Sequence, residues 1–188
     1  MIKDAQYIRC EQGSPGWLQL RKNYITATEV AMITNHRCWG TFERQKGRHS
    51  AFKSPAMIRG NQLEPAARKA IERQLGRKFF PTVITSEQHR LLASLDGIDL
   101  RLRETIEIKC PEKGRGSKLW EMAMSNKIPH RYWTQIQQGL LLTGGRVCHY
   151  WVYDEISDDG VMIDVYPDAR YQQSIIKSAN LYWQRRAA

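Results

Sequence analysis

Two acids and a lysine, carried on two segments that each read as a β-strand, constrain this chain more than any other feature: Ser94-Leu95-Asp96-Gly97 and Glu107-Ile108-Lys109-Cys110-Pro111. Side chains alternate across a strand, so an extended 105–110 turns Glu107 and Lys109 to one face and Ile106 and Ile108 to the other. One face is then free for chemistry while the other joins a core. A carboxylate at the end of the neighbouring strand, Asp96, can meet Glu107 to form a hard oxygen site suited to a divalent cation such as Mg2+ or Mn2+. Lys109 stands beside that site as a point charge. Taken singly, a Glu-x-Lys alternation describes a solvated strand face, and Asp96-Gly97 describes a hairpin turn. The combination says more, because each acid follows a short apolar run, Leu91-Leu92-Ala93-Ser94-Leu95 or Ile106, and Pro111 stops the second strand just past Lys109.

Charge points the same way. Lys and Arg number 29 against 19 Asp and Glu, a formal charge of +10 with a pI near 9.6, which favours a polyanionic partner such as nucleic acid. An acidic cluster inside a basic surface suggests phosphate chemistry. At 188 residues the chain is expected to form one domain, 1–188, with a proper core. Cys10, Cys38, Cys110 and Cys148 show no CxxC spacing, as expected of reduced thiols in a cytoplasm and not of an iron-sulfur protein. No apolar run approaches the ~20 residues of a membrane span, and Met1-Ile2-Lys3-Asp4 does not begin a signal peptide. A soluble, cytoplasmic protein is the expectation.

Read for periodicity, residues 14–23 form a short helix with Trp17, Leu18 and Leu20 inward, followed by an extended link at 24–26 and a second helix from Thr26 or Thr28 with Glu29 near its N-terminus. The basic stretch 35–53 reads as an exposed loop or short helix, in which Trp39 either stacks on a base or packs on its own domain. Ser54-Pro55 opens a helix running to Gly76, which Pro65 should kink or restart, leaving Glu64 at an irregular point. Strands follow near 79–85, 90–96 and 104–110, joined as an antiparallel meander. Helices near 117–125 and 130–143, strands at 147–153 and 161–166, and a last helix at 168–186 complete the chain. The fold class is α/β (α+β): a central mixed sheet flanked by helices. Trp120, Trp133, Trp151 and Trp183 fall on apolar faces and read as core.

With these pieces in order, the chain resembles the phage lambda-type exonuclease family, the YqaJ-like viral recombinases, within the PD-(D/E)xK nuclease superfamily. The resemblance runs through Gly16-Trp17 to Leu20-Arg21, Ile25-Thr26-Ala27-Thr28-Glu29-Val30, Gly60-Asn61-Gln62-Leu63-Glu64-Pro65, Leu95-Asp96-Gly97, Glu107-Ile108-Lys109-Cys110-Pro111 and Tyr132-Trp133-Thr134-Gln135-Ile136-Gln137. It implies a restriction-endonuclease-like core and a Mg2+-dependent 5′-to-3′ exonuclease. Such an enzyme digests one strand of double-stranded DNA from an end, leaves a 3′ single-stranded tail, forms a toroidal homotrimer and works with a single-strand annealing protein. A structure-specific or nicking endonuclease on the same core, and a non-catalytic DNA-binding recombination accessory, are the competing expectations.

The resemblance also implies roles. Asp96 and Glu107 are the expected ligands of one or two ions, with the Ile108 carbonyl adding a backbone oxygen and Glu64 completing a second position, directly or through water. Lys109 orients or helps deprotonate the attacking water and offsets transition-state charge. Gln135 matches a positioning glutamine and competes for that part with Gln137 and Gln138. Arg21 and Thr28 match residues that hold the 5′-terminal phosphate, Arg21 through a bidentate guanidinium and Thr28 through a hydroxyl at a helix N-terminus.

Overall fold

The computed structural model describes residues 2–46, 54–101 and 103–187. The meander expected from the apolar runs is present as β3 (Phe79–Ser86), β4 (Leu91–Asp99) and β5 (Glu104–Lys109), all antiparallel neighbours. After β5 the chain passes through α5 (Lys118–Met124) and α6 (His130–Thr143) and returns as β6 (Val147–Asp154), which pairs with β5 in parallel. A helical crossover is what a parallel pair requires. The hairpin strand β7 (Asp159–Val165) follows β6 at one edge. At the other edge lies β1 (Ala5–Ile8), a short strand that periodicity did not suggest, paired antiparallel with β3. The sheet has seven strands in the order β1-β3-β4-β5-β6-β7, and β2 (Ile25–Thr26) runs parallel to the start of β4. It is the expected mixed sheet.

Helices cover both faces. On one face α4 (Pro55–Leu75) lays Ala67, Ala70 and Ile71 against Phe79, Ile106, Ile108, Trp151 and Tyr153. On the other, α6 and α7 (Ala169–Ala187) pack Leu141, Leu142, Ile175 and Tyr182 against Leu91, Ala93 and Leu95. Ser14 and Ser54 cap α1 (Pro15–Asn23) and α4 through their side chains, each followed by a proline at the first helical position, where its missing N–H is of no consequence. Among the described residues no helix is long and apolar enough to cross a membrane.

Four expectations need correction. Pro65 neither ends nor restarts α4, which is one helix of 21 residues. The carbonyl that loses its partner belongs to exposed Asn61, where water can serve it. Glu64 therefore stands on regular helix. Second, α2 begins only at Val30 and spans five residues, with Glu29 at its N-cap position and no side-chain cap. Thr28 is not the helix cap but stands in the turn just before it, one residue ahead of Glu29. The Glu29 carboxylate instead reaches back to accept from the Thr26 N–H at 2.8 Å and from Lys46 at 2.7 Å.

Third, the stretch read as an exposed loop is a 3-10 turn (His36–Cys38) and α3 (Trp39–Lys46) as far as residue 46, and 47–53 lies outside the described residues. Trp39, Phe42 and Lys46 are buried, and the Trp39 indole N–H donates to the Ile33 carbonyl at 2.8 Å. Trp39 is core and cannot stack on a base. Fourth, of the tryptophans read as core only Trp151 is fully buried, while Trp120, Trp133 and Trp183 are half-buried at the margins of their clusters.

Candidate active site

The register between β3 and β4 slips beside Asp96. Phe80 faces Ile98 and Thr82 faces Leu95, so Asp96 and Gly97 together stand opposite Pro81. This is a β-bulge, two residues against one, and Pro81 suits it because it has no N–H to offer a ladder. The bulge flips the alternation of β4: Leu91, Ala93 and Leu95 join the core shared with α6 and α7, and so does Ile98. β4 and β5 are paired only at Gly97–Ile106 and Ile98–Thr105. Past Ile106 the ladder ends, and the Asp96 carboxylate takes over as acceptor for the Ile108 N–H, at 2.7 Å. A side chain thus closes the gap where the strands part, which holds Asp96 against β5.

Around that gap the remaining groups converge. Lys109 Nζ donates to Glu107 Oε1 and, at 2.9 Å, to the Ile108 carbonyl, and it lies 4.8 Å from the ring centre of Tyr132. Gln135 on α6 donates its amide N–H to the same Glu107 oxygen at 2.8 Å. Gln137 and Gln138, the other two glutamines considered, bond elsewhere. Gln138, fully buried, donates to the Ile25 and Leu92 carbonyls at 3.0 Å each, and Gln137 bridges to the Tyr166 carbonyl and accepts from the Asp168 N–H. Glu64 projects from α4 into the same neighbourhood, bound to Arg68, whose Nε also donates to the Asp96 carbonyl at 2.8 Å. Arg68 and Tyr132 were not singled out from sequence. The i,i+4 spacing of Glu64 and Arg68 on a helix was the signal available for the first.

Electrostatics show how crowded the negative charge is. Burial pushes the carboxyl of Glu64 above its ordinary range, the charge of Asp96 pushes it further, and Arg68 and Lys109 pull against both. Glu107 is raised chiefly by burial, with Lys109 opposing and Asp96 adding to the rise. Burial alone would lower Lys109, but the charges of Glu107 and Asp96 outweigh it and the ammonium is held above its usual range. Like charges gathered in low dielectric behave this way, and a cation among them relieves the repulsion.

Among the described residues no three His, Cys, Asp or Glu side chains form a ready-made metal cage. The donors that do converge, two strand carboxylates and the Ile108 carbonyl, are hard oxygens. They suit a small cation that keeps several waters and takes only one or two carboxylates from the protein.

Arg21 and Thr28 are tied to β4 through Trp17. Ser94, two residues from Asp96 on β4, accepts from the Trp17 indole N–H at 2.8 Å. The Arg21 guanidinium rests 4.4 Å from the Trp17 ring centre and comes within 3.5 Å of the exposed Thr28 hydroxyl. Burial lowers Arg21 somewhat and the charge of Glu29 opposes that.

This architecture is shared with solved exonucleases. The alkaline exonuclease LHK-Exo of Laribacter hongkongensis is similar over 92% of both chains, with a TM-score of 0.77 at 22% identity. The same enzyme in complex with dAMP gives a TM-score of 0.76 at the same identity and coverage. A phage related exonuclease from Haemophilus somnus 129PT aligns over 90% of this chain and 97% of its own, with a TM-score of 0.63 at 12% identity. No curated protein matches the chain. The model of the YqaJ-like viral recombinase domain matches residues 16–146, most of the chain, and the protein belongs to that family.

Proposed function

We propose that this protein is a metal-dependent 5′-to-3′ exonuclease that digests one strand of linear double-stranded DNA from a 5′-phosphorylated end and leaves 3′ tails for recombination by strand annealing. The observation that carries this reading is the clustering of Asp96, Glu107 and Lys109 about Ile108: Asp96 accepts from its N–H, Lys109 donates to its carbonyl, and Glu107 is held by Lys109. Three charged side chains from two strands, in a family of viral recombinases, match phosphodiester hydrolysis better than a structural ion cluster.

Asp96, Glu107 and the Ile108 carbonyl would hold Mg2+, or Mn2+ in its stead, and Glu64 would complete a second position directly or through water. A divalent ion so held supplies Lewis acidity toward the scissile phosphate and a more acidic water. Gln135 fixes one oxygen of Glu107 and so aims the other outward. Arg68 does the same for Glu64 and ties it to the main chain at Asp96. Lys109 orients the attacking water and offsets charge growing on the phosphate. Arg21, braced on Trp17, offers its fork to the 5′ phosphate, with the Thr28 hydroxyl beside it. The same reading carries assembly as a homotrimer and cooperation with a single-strand annealing protein in the cytoplasm, and sedimentation of the purified protein tests the trimer.

The deciding experiment compares a 5′-phosphorylated linear duplex with a covalently closed circle in Mg2+. Digestion of the linear form alone is expected. Efficient cutting of the circle would overturn the exonuclease reading in favour of a nicking enzyme. Asp96→Ala should abolish digestion and retain DNA binding, and Arg21→Ala should erase the preference for a 5′ phosphate over a 5′ hydroxyl.

A further inference from the structure

The ring of Tyr132 carries two cations. Lys109 Nζ lies 4.8 Å from its centre, and the Arg131 guanidinium lies 4.5 Å from the same centre and donates to the Tyr132 hydroxyl at 2.7 Å. Lys109 is already committed to Glu107 and the Ile108 carbonyl. Arg131 is exposed and forms no ion pair among the described residues. An aromatic face and a hydroxyl hold a guanidinium in place without neutralising it, so Arg131 stands beside the candidate site as a positioned charge with no acid of its own. We propose that Arg131 binds the phosphate of the digested strand that follows the scissile one on its 3′ side. The proposal rests on the exonuclease reading, with the 5′ phosphate held by Arg21 and Thr28.

The direction of the strand comes from contacts along α6. Arg131, Gln135 and Gln138 stand at i, i+4 and i+7, one stripe of that helix. Gln138 donates to the Ile25 carbonyl at 3.0 Å on β2, the strand whose Thr26 hydroxyl lies 3.0 Å from that of Thr28. Gln135 donates to Glu107 at 2.8 Å. Toward its N-terminus the helix therefore passes from the neighbourhood assigned to the 5′ phosphate, to the carboxylates, and then to Arg131. A strand that begins at Thr28 and is cut beside Glu107 continues toward Arg131. Four helical residues separate Gln135 from Arg131, about 6 Å along the axis, the rise of one or two nucleotides at about 3.4 Å each.

The chemistry of Arg131 fits a phosphate, because the guanidinium fork meets two of its oxygens at once. No acid lies in the first turn of α6, whose N-terminal end adds positive potential. A contact to a phosphate outside the reacting bond is made equally in the ground state and the transition state, so its loss falls on KM. If Arg131 only braced Tyr132, and through it Lys109, its loss would fall on kcat.

The test combines Arg131→Gln with a 5′-phosphorylated linear duplex bearing a neutral methylphosphonate between the second and third nucleotides of the digested strand, and follows release of the first nucleotide in Mg2+. A second duplex carries the methylphosphonate several nucleotides further on. With the first duplex, each change alone is expected to raise KM by about tenfold. A kcat within about twofold of the parent also reports that the variant is folded. Both changes together should cost no more than either alone, as for two groups that act on each other. Lys127→Gln, an exposed charge lost just ahead of α6, should respond to the methylphosphonate as the parent does. Losses that multiply in Arg131→Gln, a fall in kcat in place of a rise in KM, or coupling to the distant methylphosphonate instead would each overturn the proposal. Binding of the same duplexes in EDTA, where nothing is cut, is scored beside digestion. Coupling in binding without digestion would sink the nuclease reading and spare the Arg131 contact, and digestion without coupling would do the reverse.

Discussion

Gly97 offers the sharpest quantitative check on the bulge. A Cβ at this position would stand 2.7 Å from Phe79 Cβ and 2.9 Å from both Cγ1 and Cδ1 of Ile106. Phe79 Cβ is fixed to the β3 backbone and cannot swing aside as a side-chain tip would. Gly97→Ala therefore forces β4 away from its neighbours, and overpacking of this kind costs about 1–3 kcal/mol. Against it stands the lower entropy of the unfolded chain, which favours alanine by about 0.4–1 kcal/mol where the backbone permits it. Overpacking wins, with a net loss of roughly 1–2 kcal/mol and, for a chain of this length, a melting temperature lower by roughly 2–8 °C.

Gly60→Ala is the control, because a Cβ there meets nothing within 4 Å and the residue lies inside α4. It should gain about 0.5–1 kcal/mol. Urea titrations and thermal melts followed by far-UV circular dichroism measure both. Gly97→Ala should also lose turnover at temperatures where it is fully folded, since Asp96 is the adjoining residue and a shift of about 1 Å in a catalytic group can cost about 10²-fold. A Gly97→Ala protein that melts at or above the parent would refute the packing argument.

Three further outcomes follow from named contacts. Gln138→Leu removes the donor shared by the Ile25 and Leu92 carbonyls and should cost about 1–3 kcal/mol in urea, whereas Gln135→Leu should leave the urea midpoint near the parent and reduce turnover through Glu107. Because Glu64 and Glu107 are raised and must be ionised to bind a cation, activity should fall on acidification at pH values above the ordinary carboxylate range, and Arg68→Gln, which removes a charge that lowers Glu64, should move that limb to higher pH. A pH–rate profile whose acid limb stays in the ordinary range would count against these two acids. Trp39→Ala should destabilise by about 3–5 kcal/mol, and a change of DNA affinity with unchanged stability would instead mean that Trp39 reaches the substrate.

Much of this could be read from local pattern, and the failures have identifiable causes. Apolar runs ended by turn residues located β3, β4 and β5, and 3.6-residue periodicity located α4, α6 and α7. Trp39, Phe42 and Lys46 recur at helical spacing, but the basic residues between them masked a buried stripe, and Lys46 is inside only because Glu29 neutralises it. The choice among Gln135, Gln137 and Gln138 had no local answer. All three lie on one helix and each finds a different polar partner, one on β5, one beyond β7 and one between β2 and β4. The helix start was placed too early, at Thr26 or Thr28, because either threonine before an apolar run looks like a cap, whereas residues 27–29 form a turn closed by the Glu29 N–H on the Thr26 carbonyl at 2.9 Å and the helix begins at Val30.

The deepest omission concerns how Asp96 and Glu107 meet. Strict alternation along two flat antiparallel strands would bring the acids together by pairing alone, and the ladder stops one residue short of doing so. What joins them is the bulge opposite Pro81, which turns Asp96 toward the Ile108 N–H as the strands diverge. The carboxylate that satisfies the freed Ile108 N–H belongs to Asp96, on the strand beside Glu107 and Lys109. A backbone group deprived of its partner must be served by something, and here the group serving it is also a candidate ligand. The sign of this coupling is testable with Asp96→Asn. The amide keeps an oxygen for the Ile108 N–H, so the fold should hold to within about 1 kcal/mol, while the loss of charge should abolish digestion. If Asp96→Asn unfolds the protein, the carboxylate charge is needed for the fold itself and the division of labour argued from the bulge is wrong.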